Sequence, residues 1–199
     1  MDALDAITNR RSISRLVDPG PTPAEIATLL GAAVSAPDHG KARPWRFVVF
    51  AGEDRARFGE VLEASARHLA EVAGEPLDEA RAEKERRRFL RAPVVVAVLC
   101  RMQARRVLQA EQRDAVAAAA QNLLVAATAL SYGSIWRTGD AANSPVVREA
   151  FGLDAGDVIV GFVYLGTVPP DTTVEDRAVD PTPWIEPVPR LTPMDGPGG

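Results

Sequence analysis

The sequence lacks the residues that several large classes of protein require. Only one of its 199 residues is cysteine, Cys100, which excludes an intrachain disulfide framework and a multi-cysteine metal site. His39 and His68 are the only histidines, too few for a histidine-rich metal centre. Although only 6% of the residues are aromatic, 46% are hydrophobic and 25% charged. This composition and length are typical of one globular domain, or of two small ones, rather than of a disordered chain.

An excess of positive charge is also missing. There are 27 acidic against 23 basic residues, giving a net charge of -4, so the overall field does not attract nucleic acid.

The chain opens Met1-Asp2-Ala3-Leu4-Asp5, with acids where a secretory signal needs positive charge. The longest apolar stretch, residues 115–130, is alanine-rich and shorter than the roughly 20 apolar residues that span a bilayer. We therefore predict a cytoplasmic protein.

Several common catalytic motifs are absent as well. The sequence contains no GxGxxG after a strand, no Gly-rich GK[ST] loop, no HExxH and no GxSxG. These absences exclude the classical dinucleotide-binding, phosphoryl-transfer, zincin and α/β-hydrolase classes.

The hydrophobic pattern predicts helices around a small sheet. Thr22 and Glu25 form a capping box at the start of one helix, and the valine-rich run 93–99 is typical of a strand buried on both faces. A charge-dense segment, 77–90, contains Arg86-Arg87-Arg88 but also interleaved acids, which favours a solvated helix face over an anion site. We predict helices at 3–10, from 23, at 53–72, 77–90, from 102 to about 130 and from about 145 to 152, and strands at 45–50, 93–99, 132–136 and 157–167. This irregular order predicts an α+β fold with a small mixed or antiparallel central sheet.

Prolines are concentrated at the C-terminus. Eight of the 16 prolines lie from Pro169 onward, and a segment so poor in backbone donors favours an extended arm. We therefore divide the chain into a domain at 1–168 and a Pro-rich arm at 169–199, with Trp184 and Ile185 as apolar anchors. We expect order through about Ile185 and fraying toward Gly199.

Three polar clusters could carry chemistry. The first, residues 9–15, places three arginines and two serines where a helix ends; guanidinium pairs suit phosphate, although arginines are also simply favourable at a helix C-terminus. The second, residues 35–45, is a proline-bracketed loop before a strand that could present His39 to a ligand or merely connect two elements. The third, residues 133–139, has a glycine at each end that leaves backbone amides accessible.

Together, these clusters resemble the FMN-dependent nitroreductase family over nearly the whole chain, and their details are similar to its short YdjA-like branch. The similarity rests on Arg10-Arg11-Ser12, the Ala-Pro to Pro-Trp loop at 36–45, the Gly-to-Trp turn at 133–136 and the closing strand at 160–166. The basic residue that normally follows the first motif stands one position later, at Arg15.

The resemblance implies a homodimer with an extended C-terminal arm that embraces the partner and with FMN at the subunit interface. It implies that flavin N5 carries the chemistry, so no catalytic residue is assigned, and that Arg10 is the first candidate for electrostatic tuning. The implied FMN-binding residues are Arg10, Arg11, Ser12, Trp136, Arg137 and Thr138 from one subunit and Ser35 and His39 from the other.

The implied function is FMN-dependent, NAD(P)H-driven reduction of small electron-deficient acceptors such as nitroaromatics or quinones, with NADH or NADPH as reductant. Three alternatives remain open: a flavin enzyme of one dedicated metabolite, a non-catalytic or regulatory flavin-binding protein, and an interaction protein without a cofactor. The roles of Cys100 and His39 are open too, with a small buried hydrophobe the expected role of Cys100.

Overall fold

The structure, a computed structural model, describes residues 1–104, 106–174 and 179–187. Six helices of the described part surround one four-stranded sheet. The helices are α1 (Ala3–Asn9), α2 (Pro23–Ala33), α3 (Asp54–Ala73), α4 (Glu79–Arg86), α5 (Gln109–Ala129) and α6 (Pro145–Ala150), and the strands are β1 (Trp45–Ala51), β2 (Val94–Cys100), β3 (Gly133–Arg137) and β4 (Val158–Gly166). The predicted α+β class is confirmed.

All neighbouring strands are antiparallel, in the order β1-β2-β4-β3. Every residue of β2 is buried, as its valine run predicts, because helices cover both faces of the sheet. One core layer packs β2 and β4 against α2 and α5, and a second packs the opposite face against α3 and α6. In this order β3 is an edge strand.

Local sequence chemistry explains the helix that begins after Thr22. The Thr22 side chain accepts from the Glu25 amide, and the Glu25 carboxylate accepts from Thr22 N at 2.8 Å, so the predicted capping box is confirmed.

The predicted start of α5 is wrong. The helix begins at Gln109 rather than just after Arg101 because side chains satisfy the backbone of the intervening residues. Gln103 N donates to Gln112 Oε1 at 2.8 Å, and Gln112 Nε2 donates to Val107 O at 3.2 Å. A buried glutamine thus stabilises an irregular connection that composition alone does not distinguish from helix.

The charge-dense segment 77–90 is not one helix. It forms α4 and then a separate 3₁₀ turn, Arg88–Arg91. The interpretation as a solvated face holds for Arg86, which lies near Glu60 and Glu63. Arg88 instead turns inward and pairs with Glu85.

The start of the C-terminal arm lies against the N-terminal segment of the same chain, with Arg15 Nη1 2.9 Å from Asp171 Oδ2. Farther along, Trp184 and Ile185 are 72% and 70% exposed. The expected fraying toward Gly199 falls outside the described residues.

Candidate functional site

The segment after α1 joins the free edge of the sheet. Ile13 N donates to Ser134 O at 2.9 Å, and Ser12 forms a parallel bridge with Ser134 in β3. An antiparallel bridge between Val17 and Thr167 then holds the following residues against the end of β4. The fold therefore brings the first and third predicted clusters side by side.

Beyond Ser134 the outer edge of β3 is open. In an antiparallel strand, successive residues direct their N–H and C=O groups alternately toward and away from the partner strand. The carbonyl of Ser134 points away from β4, so the N–H and C=O of Trp136 point outward too, while the Arg137 carbonyl faces Gly161 of β4. No described residue bonds to the outward groups of Trp136. They offer a donor and an acceptor to the edge of a planar ligand.

The indole of Trp136 is fixed against β4. Its Nε1 donates to Val160 O at 3.2 Å. A Cβ on Gly161 would lie 2.1 Å from the same nitrogen, so only glycine leaves room for the ring. Gly161 thus positions Trp136, a role that its place in the strand motif did not indicate.

Arg10, Arg11 and Ser12 line a groove of about 570 Å³ together with Ile7, Thr8 and Ile13 and with Thr173, Val174 and Val179 of the arm. We call it the N-terminal groove. The Arg11 guanidinium donates to the carbonyls of Thr8 and Arg10, whereas the Arg10 side chain bonds to no described residue. Arg10 therefore has guanidinium donors available for an anion.

Trp136, Arg137 and Thr138 line a second groove of about 500 Å³, together with Lys84, Glu85, Arg88, Arg91 and Gly139. We call it the cationic groove. Lys84, Arg88 and Arg91 were not identified as site residues from the sequence. They line this groove because a 3₁₀ turn at Arg88–Arg91 changes the direction of the chain after α4, which the sequence pattern did not predict. The structure thus places the third predicted cluster beside the first along β3, but directs it to a different groove.

Neither Ser35 nor His39 lines the N-terminal groove. Ser35 Oγ donates to Ala32 O at 2.7 Å at the end of α2. His39 Nδ1 lies 3.2 Å from Glu111 Oε1 on α5, and its side chain is exposed. The single chain therefore does not bring the second cluster to the first.

Two buried groups have shifted pKa values. Burial raises the pKa of Tyr164 to about 12, against the opposing positive charges of Arg88, Arg137 and Arg91. Burial, with a smaller contribution from Asp157, raises the pKa of Cys100 to about 11. Cys100 is 0% exposed and lies in the core, which confirms its expected role as a small buried hydrophobe.

Within residues 1–104, 106–174 and 179–187, no group of His, Cys, Asp and Glu side chains could hold a metal ion. Among the helices described here, none is both long and apolar enough to span a bilayer.

Comparison with known proteins gives consistent matches. A model described as the nitroreductase family matches residues 7–167. The YdjA protein of Escherichia coli K12, whose name proposes an NAD(P)H nitroreductase, is 41% identical over 186 residues, covering 93% of this chain and 98% of that protein.

Solved structures agree with these sequence matches. A nitroreductase-like family protein from Bacillus cereus superimposes with a TM-score of 0.78 at 25% identity, over 94% of this chain and 96% of that one. A protein from Desulfovibrio desulfuricans, described as a proposed nitroreductase in complex with FMN, superimposes with a TM-score of 0.68 at 25% identity, over 95% and 99% of the two chains.

Proposed function

The chain belongs to the nitroreductase family, and from this premise we propose that it is an FMN-dependent oxidoreductase that uses NADH or NADPH to reduce small electron-deficient acceptors. Nitroaromatics and quinones are the acceptor classes that we expect. The observation that carries the proposal is the bridge between Ser12 and Ser134, because it sets an arginine-rich segment beside an open strand edge.

The donor set fits FMN. A flavin mononucleotide needs cationic donors for its phosphate and backbone groups for its polar ring edge. Arg10 and Arg11 supply cationic donors in the N-terminal groove, and Ser12 adds a neutral hydroxyl there. The outward N–H and C=O of Trp136 supply the backbone groups. When bound, FMN would supply an N5 atom that accepts a hydride from the nicotinamide, and the oxidised nucleotide would leave as NAD⁺ or NADP⁺. The two electrons would then pass to the acceptor, with protons from solvent.

The protein residues hold and tune the cofactor. We assign Arg10 to the phosphate and to electrostatic stabilisation of negative charge on the reduced ring, since its donors bond to no described residue. Trp136 contributes its backbone edge, and Gly161 keeps that residue in place. Arg137 and Thr138 would border the ring from the cationic groove.

We further propose a homodimer in which Ser35 and His39 complete the partner's flavin site. Two observations support it: neither residue lines the N-terminal groove of its own chain, and apolar side chains at both ends of the chain are exposed. Leu4 is 73% exposed and Trp184 72%, which is typical of surfaces that a partner covers.

Absorption spectroscopy of the purified protein tests the proposed function. We expect a yellow protein whose flavin bands bleach when NADH or NADPH is added without oxygen and recover when a quinone or a nitroaromatic is added. A protein that binds FMN but is not bleached by either nucleotide would be a non-catalytic or regulatory flavin-binding protein. A colourless protein that binds no added FMN would favour an interaction protein.

A further inference from the structure

The basic side chains that line the cationic groove outnumber the acidic side chains that could neutralise them. It is lined by four basic side chains, Lys84, Arg88, Arg91 and Arg137, and one acidic side chain, Glu85. Glu85 pairs with Arg88. The side chains of Lys84 and Arg91 are exposed and form no hydrogen bond or ion pair with any residue that the structure describes. Cations collected on one concave surface repel one another, so the arrangement favours an anionic ligand.

The arginines converge on one place. Arg88 lies against the backbone of Gly139, where an added Cβ would be 3.3 Å from Nη1. Arg88, Arg91 and Arg137 line the same groove, together with Lys84 of α4. Side chains from α4, the following 3₁₀ turn and β3 therefore meet at the end of the edge strand.

This strand end is also where we place the flavin ring. The reductant must reach that ring, and of the two reductants NADPH carries an additional phosphate monoester with a charge near -2. Guanidinium and ammonium groups are the side chains that bind such phosphates. We propose that the cationic groove binds the phosphates of the reductant and makes NADPH the preferred cosubstrate over NADH. This inference rests on the proposed function.

Steady-state kinetics of the FMN-loaded enzyme test the preference. In the double variant Lys84→Ala/Arg91→Ala, we expect the KM for NADPH to rise about tenfold relative to the KM for NADH, which corresponds to about 1.4 kcal/mol. The control is Arg57→Ala, which removes an arginine on α3 whose side chain is 74% exposed, and it should leave the ratio unchanged. Equal changes for both nucleotides, or no change, would overturn the proposal.

A binding measurement tests the phosphate affinity of the groove independently of catalysis. We expect calorimetry to show that adenosine 2′,5′-bisphosphate binds the wild-type holoprotein more tightly than adenosine 5′-monophosphate does, and that the double variant loses this difference. If neither NADH nor NADPH bleaches the flavin, the proposed function fails, and the bisphosphate titration still decides whether the groove binds such phosphates. Equal binding by the wild type and the variant would overturn the assignment.

Two other sources of anion give distinct results. If the double variant releases FMN while its nucleotide preference is unchanged, the groove belongs to the flavin phosphate. If it instead raises the KM of a carboxylate-bearing acceptor and not that of NADPH, the groove belongs to the acceptor. Either result would overturn the inference.

Discussion

At the scale of single residues, Arg10 and Arg11 have different surroundings although they are neighbours. Arg11 donates to two backbone carbonyls near the end of α1, which fixes its guanidinium to its own chain. Arg10 takes an extended conformation as the C-cap of α1, and its guanidinium bonds to no described residue. A ligand that needs cationic donors would therefore depend more on Arg10 than on Arg11.

We expect Arg10→Ala to weaken FMN binding about ten- to a hundredfold, because hydrogen bonds to charged groups contribute roughly 1.5–3 kcal/mol. The dissociation constant is measured by quenching of FMN fluorescence on addition of apoprotein. Arg57→Ala serves as the control, and Arg137→Ala tests whether the other groove also reaches the phosphate. An unchanged dissociation constant for Arg10→Ala would show that the FMN phosphate does not bind at Arg10 in the N-terminal groove.

Gly161→Ala should destabilise the chain where β4 packs against the Trp136 ring and the Arg137 carbonyl, which lies 2.9 Å from the added Cβ. The new Cβ would meet Trp136 Nε1 at 2.1 Å and displace the indole from Val160 O. We expect the free energy of unfolding to fall by about 1–3 kcal/mol, the range for inserting a carbon into a packed site, as measured by urea denaturation. Gly31→Ala is the matched control, since nothing lies within 4 Å of its added Cβ in α2. Equal stability of the two variants would contradict the role of Gly161.

At the scale of elements, local chemistry predicted most of the helices and strands. The capping box of α2 and the valine run of β2 need only neighbours in sequence, and both were confirmed. The start of α5 was missed because Gln112 stabilises the preceding connection by tertiary hydrogen bonds. The amino-acid composition of the segment does not predict the hydrogen bonds that Gln112 forms with Gln103 and Val107.

The C-terminal arm supplies a prediction at the same scale. Trp184 ends a short 3₁₀ turn and Ile185 follows it. Both remain largely exposed on their own chain, although the free energy of burying such side chains is favourable. We expect Trp184→Asp/Ile185→Asp to shift a dimer toward monomer at micromolar concentration in sedimentation velocity. Val72→Asp is the control, since Val72 on α3 is also 73% exposed. A dimer that is unaffected by the arm variant would separate the arm from the interface.

At the scale of the whole molecule, the candidate site depends on topology more than on motifs. Residues 10–12 and 136–138 are far apart in sequence, and their motifs indicated a shared ligand without showing how they meet. They meet because β4 lies between β2 and β3, which leaves β3 as an edge that Ser12 can join. The cationic groove could not be foreseen, since it needs the turn at Arg88–Arg91 and the end of β3 together.

The scarcity of lysine bears on how stability depends on pH at the alkaline end. Only two of the 23 basic residues are lysines, and arginine stays protonated at high pH, so few cations titrate there. Burial raises the pKa of Tyr164 from 10.0 to about 12 and that of Cys100 from 9.0 to about 11. In both cases the folded state keeps a proton that the unfolded state releases, so the stabilisation is complete below about pH 9 and is lost as pH rises toward 12.

We therefore expect the free energy of unfolding, measured in urea at intervals from pH 8 to 11, to decline from about pH 9. Each shift is worth roughly 2 kcal/mol at full ionisation, since one pKa unit corresponds to about 1.4 kcal/mol and part of the difference is lost to relaxation. Cys100→Ala should flatten the decline that begins near pH 9, and Tyr164→Phe the part above pH 10. Tyr132, whose pKa is also raised by burial and by its hydrogen bond to Glu25, contributes with the same sign and remains in both variants as the internal reference. If the profile of Tyr164→Phe is as steep as that of the wild type, the pKa of Tyr164 is not raised in the folded state. The positive charges of Arg88, Arg137 and Arg91 would then lower this pKa as much as burial raises it.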